Sequence, residues 1–178
     1  YPDEIIEKIG TNKLQFDIAI YACGFLPSDS ATIDELNTAM TVNYLTPVRI
    51  LHVVGEQFSV KKSGMIVGIS SVAGDRGKKS SYVYGSSKAG FSVFLSELRN
   101  KLVESSVHVL TVKPGFVQTP MLKKKTPSFL TSSAKEAASQ IFRGITKRKN
   151  VMYIKPRWRL VMWVIRLIPE RFFKTMNL

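Results

Sequence analysis

The chain has 178 residues, 44% of them hydrophobic, which suits one globular domain with a real core and excludes a wholly disordered or collagenous protein. Its single cysteine, Cys23, excludes an internal disulfide framework, and with only His52 and His108 beside it no zinc-ligand cluster stands out, so no metal site is expected. The formal charge is +13 and uneven: from Arg143 onward there are ten basic residues against one acid, Glu170, a net +9. A basic end of this kind favours anionic partners.

The chain opens YPDEIIEKIG, polar and acidic, and reads as starting mid-helix rather than on a signal peptide. No run of 18 uncharged apolar residues offers a membrane span. Phe16–Cys23 (FDIAIYAC) is the first run expected to form a buried parallel strand, followed by Met65–Ser70 (MIVGIS) and Val107–Val112 (VHVLTV), with Val151–Ile154 as a fourth candidate. These runs are branched and apolar without clean alternation, as strands covered on both faces are. Cys23 is expected to be a small buried residue within its strand, and His52 and His108 to be structural. Between the strands lie helical patterns over Thr32–Ser59, bent near Pro47, over Tyr82–Leu102, and over Ser133–Lys147 with a serine N-cap. Strands alternating with helices imply βαβ units and a parallel sheet. Lys123–Ser133 is the most linker-like piece. In the tail Trp158–Ile168 (WRLVMWVIRLI), Arg159 and Arg166 share one helical face, and Trp158, Met162, Ile165 and Ile168 fall on a more apolar side.

The segment Ser70–Lys88, SSVAGDRGKKSSYVYGSSK, carries the chemistry. Tyr84 and Lys88 are four apart, so on a helix they lie on one face. A phenol titrates near 10, too high for ready proton exchange at neutral pH, and an adjacent ammonium is expected to lower it. Ser71 ends an apolar strand, thirteen residues before Tyr84. A hydroxyl there faces the crevice in which open α/β sheets bind ligands, and could hydrogen-bond a substrate oxygen. Ser70 is the alternative, but Ser71 fits better. The plainer readings are a surface helix pair for Tyr84 and Lys88, a strand-end cap for Ser71, an ordinary helix residue for Asn43 and a turn residue for Thr119. A Ser–Lys hydrolase built on Ser71 and Lys88 is disfavoured, because no acid or histidine base lies in the motif.

This strand–SSVAG–YxxxK arrangement resembles the active site of short-chain dehydrogenases/reductases. The resemblance covers roughly Asp17 to Ile154. It implies an α/β fold: the C-terminal portion of a Rossmann-like doubly wound parallel sheet with flanking helices, over residues 1–154, followed by a basic amphipathic tail over 155–178. It implies interconversion of a secondary alcohol and a ketone with NAD or NADP, Ser71, Tyr84 and Lys88 assisting hydride transfer. Asn43, in TVNYLTP, sits where the family's asparagine helps hold a water relay to the lysine. Lys113–Met121 (KPGFVQTPM) is similar to the family's PGxVxT turn, so Pro114, Gly115, Val117 and Thr119 would line the nicotinamide end. Tyr21–Gly24 (YACG) resembles the NNAG turn, with Ala22 and Gly24 as cofactor contacts, although Tyr21 and Ala22 replace the usual asparagines.

The family's GxxxGxG turn and the residue that selects NAD or NADP do not occur in this sequence. The first βαβαβ half is therefore expected to be missing, leaving an unpaired edge on the first strand, and activity is expected only with that segment. The alternative is a non-catalytic remnant without cofactor affinity. The segment GDRGKKSSYVYGSSKA and the basic, tryptophan-bearing end are also similar to the keto-reductase component of decaprenylphosphoryl-ribose 2-epimerase. The expected partners are a small-molecule or lipid-linked alcohol or ketone, further copies of the chain, and an anionic membrane surface met through the tail; no nucleic acid is expected. The expected location is cytoplasmic, peripheral at the membrane.

Overall fold

A computed structural model describes residues 2–11, 14–28, 30–122 and 126–176. Four strands form one parallel sheet: β1 (Ile18–Tyr21), β2 (Met65–Ile69), β3 (His108–Lys113) and β6 (Val151–Tyr153), in that spatial order. The helices between them are α1 (Pro2–Gly10), α2 (Ile33–Met40), α3 (Thr46–Lys61), α4 (Tyr82–Leu102) and α5 (Ala134–Thr146). The chain ends in α6 (Arg157–Leu167) and α7 (Glu170–Phe173).

Side chains alternate across a strand, so each central strand feeds two cores. Ile66 of β2 and Val109 of β3 pack on one face with Leu51, Val54 and Phe58 of α3 and Phe91, Leu95 and Leu98 of α4. Met65, Val67, Leu110 and Val112 point the other way, towards Ala137, Ile141 and Ile145 of α5. Helices on both faces of a parallel sheet make the doubly wound architecture the sequence implied.

Three readings of the sequence need correction. Strand β1 is shorter than Phe16–Cys23 and is not covered on both faces: Ala19 and Tyr21 pack into the core, while Ile18 is 46% and Ile20 52% exposed on the other face, where no core cluster among the described residues includes them. Cys23 is consequently past the strand's end and exposed, not buried. Lys123–Ser133 is not a linker where it is described, since its end forms β5 (Thr131–Ser133), which pairs in parallel with β4 (Phe116–Gln118) as a second small sheet; residues 123–125 lie outside the described residues. The break expected near Pro47 is present, as a π turn over Thr41–Leu45 between α2 and α3.

The basic tail is seated rather than loose. Trp158 is 4% and Met162 1% exposed, clustered with Val72 of the loop that follows β2. The Trp158 indole N–H donates to the Leu130 carbonyl at 2.9 Å, and its ring meets Phe116 edge-on at 5.2 Å. A side chain on Gly115 would have its Cβ 2.0 Å from that indole, so glycine is what lets Trp158 lie flat against the β3–β4 turn. Among the described residues no helix is long and apolar enough to cross a membrane. Trp158→Ala should cost about 3–5 kcal/mol, read as a lowered urea midpoint; an unchanged midpoint would mean the tail is not part of the folded core.

Candidate active site

Helix α4 is brought against the end of β2 by its small residues. A Cβ on Gly74, in the turn after β2, would lie 2.7 Å from the Lys88 carbonyl carbon and from the Ala89 nitrogen. No side chain fits there, so the SSVAG turn rests directly on the backbone of α4 at Lys88. On the same turn, Ser71 caps the 3-10 helix Val72–Gly74 by accepting from the Ala73 N–H at 3.1 Å. The Tyr84 phenol interacts with the same side chain, an interaction that holds the phenol's pKa down. Ser70, by contrast, is spent on structure: its buried hydroxyl donates to the Lys88 carbonyl at 2.9 Å and lies 2.7 Å from the Ser92 hydroxyl.

Lys88 is 3% exposed. Its ammonium donates to the Ile69 carbonyl at 3.1 Å and lies 5.9 Å from the Tyr84 ring centroid and 5.8 Å from that of Phe91. Burial pushes its pKa down to about 8, with Cys23 acting in the opposite direction. Cys23 is thus an electrostatic neighbour of Lys88 in space, which its flanking sequence could not reveal. The expected acidification of Tyr84 does not follow from this geometry. Burial pushes the phenol up, and the interaction with Ser71 opposes it. Tyr84 therefore holds its proton at neutral pH, poised as a donor.

Asn43 is fully buried in the π turn. Its Oδ1 accepts from the Phe25 N–H at 2.9 Å and its Nδ2 donates to the Phe25 carbonyl at 2.8 Å, so it clamps the loop after β1. Pro47 has no N–H to offer the Asn43 carbonyl four residues earlier, so that helical donor is removed. Tyr21, the departure from the asparagine-rich turn, has a role of its own: its hydroxyl donates to the Val42 carbonyl at 2.7 Å, fastening β1 to the π turn.

Asn43, Lys88 and Gly24 converge. A Cβ on Gly24 would lie 3.6 Å from Asn43 Oδ1, 3.7 Å from Lys88 Nζ and 3.7 Å from Met121 Cε. Ala22 is exposed on the same loop. The PGxVxT residues divide. Pro114 is tied to the SSVAG turn, its carbonyl accepting from the Val72 N–H at 2.9 Å. Gly115 is covered by Trp158, as described above. Val117 lies in β4, opposite Ser132. Thr119 is exposed, and among the described residues its hydroxyl donates to the Val117 carbonyl, at 3.5 Å.

Sequence reasoning missed a buried network beneath the turn. The Asp75 carboxylate, 2% exposed, pairs with the Lys113 ammonium, 15% exposed, and accepts from the Tyr153 hydroxyl at 2.8 Å. Next to it Arg76 pairs with Glu170, donates to the Arg166 carbonyl at 3.1 Å and lies 4.2 Å over the Phe173 ring. The turn after β2 is thereby strapped to β3 on one side and to α6 and α7 on the other. Nothing in the local pattern GDRG marks Asp75, because its partners are far away in sequence.

A family model described as short chain dehydrogenase matches residues 3–128. The chain belongs to this family. An "uncharacterized oxidoreductase" of Mycobacterium tuberculosis is 30% identical over 161 residues, 89% of this chain and 65% of that protein. An "NADP-dependent 3-hydroxy acid dehydrogenase" of Schizosaccharomyces pombe is 26% identical over 163 residues, 83% of this chain and 63% of that protein. The chain thus spans just under two thirds of the length of these relatives. Among solved structures, a short chain dehydrogenase from Burkholderia cenocepacia in complex with NADP superposes on all of this chain and 75% of its own, with a TM-score of 0.83 at 16% identity. One from Sphingobium yanoikuyae in complex with NADPH gives 0.80 at 19% identity over 95% of this chain and 72% of its own. These share the fold.

Asp75→Asn leaves the Lys113 ammonium buried without its counter-charge, which costs about 3–5 kcal/mol. Chemical denaturation of the variant should show that loss; stability within experimental error of the parent would remove the network from the account.

Proposed function

We propose that the protein is an NAD(P)-dependent oxidoreductase that interconverts a secondary alcohol and a ketone, with Tyr84 as the proton donor and acceptor. The observation that carries this reading is a buried Lys88 whose ammonium lies 5.9 Å from the ring centroid of Tyr84, with Ser71 acting on the same phenol.

The residues fit a nicotinamide cofactor. An ammonium has three donors, and the described hydrogen bond of Lys88 Nζ, to Ile69, uses one of them. The bare Cα of Gly24 leaves room beside it. Lys88 and the backbone of Gly24, with Ala22, Pro114, Gly115, Val117 and Thr119, would hold the cofactor. When bound, a nicotinamide supplies or accepts the hydride.

The chain's own residues manage the proton. Ser71 donates to the substrate oxygen as negative charge grows there. Tyr84, protonated at neutral pH, gives its proton to that oxygen, and the Lys88 ammonium stabilises the charge left on the phenol. Asn43 fixes the loop facing Lys88 and contributes its carbonyl to a water relay that restores the proton. The substrate is a small or lipid-linked alcohol or ketone, and the enzyme works as a homo-oligomer and engages an anionic partner through its basic tail. Residues that precede this sequence in its longer relatives would complete the nucleotide site, which makes full activity a property of that longer form.

Tyr84→Phe should lower ketone-dependent NAD(P)H oxidation by about 10²–10⁴-fold, with far-UV circular dichroism unchanged; undiminished turnover in the folded variant would end the proposal. The pH dependence has a definite sign. A lysine whose pKa is about 8 is charged below that value and neutral above it. Hence kcat/KM for ketone reduction should be level below about pH 8 and fall above it, and a profile level to pH 10 would contradict the role given to Lys88.

A further inference from the structure

Helix α6 buries Trp158 and Met162, yet its outer face is not the polar surface that burial would lead one to expect. Leu160 is 64%, Trp163 59%, Val164 49% and Leu167 62% exposed. Beside this apolar stripe run Arg159 and Arg166, seven residues and about two turns apart, so their guanidiniums emerge on one line. Among the described residues no carboxylate pairs with either, and the acid closest in sequence, Glu170, is taken by Arg76. Tyr153, Arg159, Leu160, Trp163, Arg166 and Leu167 line an open cleft of about 650 Å3. None of them belongs to the proposed catalytic or cofactor-binding set.

We infer that the outer face of α6 docks onto an anionic lipid bilayer, lipid phosphates seating between Arg159 and Arg166 while Leu160, Trp163, Val164 and Leu167 enter the boundary with the acyl chains. A helix lying in the bilayer plane needs an apolar face bordered by arginines, with a tryptophan at the headgroup level, and this face supplies all three. Charge selects the occupant. The chain from Arg143 onward carries ten basic residues and one acid, so a negatively charged surface is attracted as a whole. A second copy using the same patch would set Arg159 and Arg166 against their own equivalents, because a two-fold contact is self-complementary, and like charges so opposed are repelled. Arg76 ties the docking helix to the turn that bears Ser71, through Arg166 and Glu170, so the bilayer and the catalytic turn share one rigid mount.

This deepens the reading of the tail as an anionic-partner surface and does not depend on hydride transfer, since vesicle binding requires neither cofactor nor turnover. The test is co-sedimentation of the full chain with vesicles of equimolar phosphatidylcholine and phosphatidylglycerol, against vesicles of phosphatidylcholine alone. Binding should favour the anionic vesicles and weaken as salt is raised. Arg159→Gln with Arg166→Gln should reduce it by about 25-fold. The chain has two tryptophans, and Trp158 is already buried, so a blue shift of emission on binding reports Trp163. Trp163→Phe should abolish the shift while binding persists. Equal partition onto both kinds of vesicle, or a double-arginine variant that binds like the parent, overturns the inference. So does sedimentation velocity that finds the face buried in a dimer dissolved by Leu160→Ser with Leu167→Ser.

Discussion

Lys88 is a cation held out of water. Its ammonium rests on one backbone carbonyl, that of Ile69, and between the rings of Tyr84 and Phe91, and the cost of keeping it there shows in a pKa depressed to about 8. The surroundings of Lys88 are arranged by that requirement. Gly74 lets the SSVAG turn press on the backbone at Lys88, the Ser70 hydroxyl fastens the carbonyl of the same residue, and Asn43 holds the loop after β1 across from its amine. In the proposed mechanism this burial would add strength: in a low dielectric the ammonium would act on a developing phenolate more strongly than it would in water.

The same turn is braced from below. Asp75, Lys113 and Tyr153 form a buried set in which Tyr153, pushed up to about 12 by burial and by the carboxylate it faces, keeps its proton as a donor. Arg76 extends the brace to α6 and α7. The C-terminal segment is therefore structurally part of the site, and its outward face presents the arginines and apolar side chains inferred to meet a bilayer.

Much of this was legible before folding. Branched apolar runs gave the strands β2, β3 and β6, and Ser133 marked the start of α5, where its hydroxyl does accept from the Glu136 N–H. The four-residue interval between Tyr84 and Lys88 is local, so a helix had to set them on one face. What escaped was non-local. The pairing of β4 with β5 joins residues that carry no strand pattern, and the Asp75 network joins three elements distant in sequence. Cys23 was misread because the end of β1 was placed two residues late, and one such shift moves a residue from core to surface. The tyrosine's proton affinity was misjudged for a related reason: spacing announces a neighbouring charge, but burial, which raises a phenol's pKa, is a property of the whole packing. The outer face of α6 was hidden by its neighbour, since Trp158 and Met162 drew attention to the inward side.

The burial of Lys88 is measurable without substrate or cofactor. Lysines labelled with carbon-13 at the ε position can be titrated by NMR, and the resonance absent from a Lys88→Met sample belongs to Lys88. The structure requires that resonance to titrate near 8, well below the ordinary lysine value of 10.5. A titration at 10.5 would mean that the ammonium lies in water, and the arrangement of Ser71, Tyr84 and Lys88 described here would not exist.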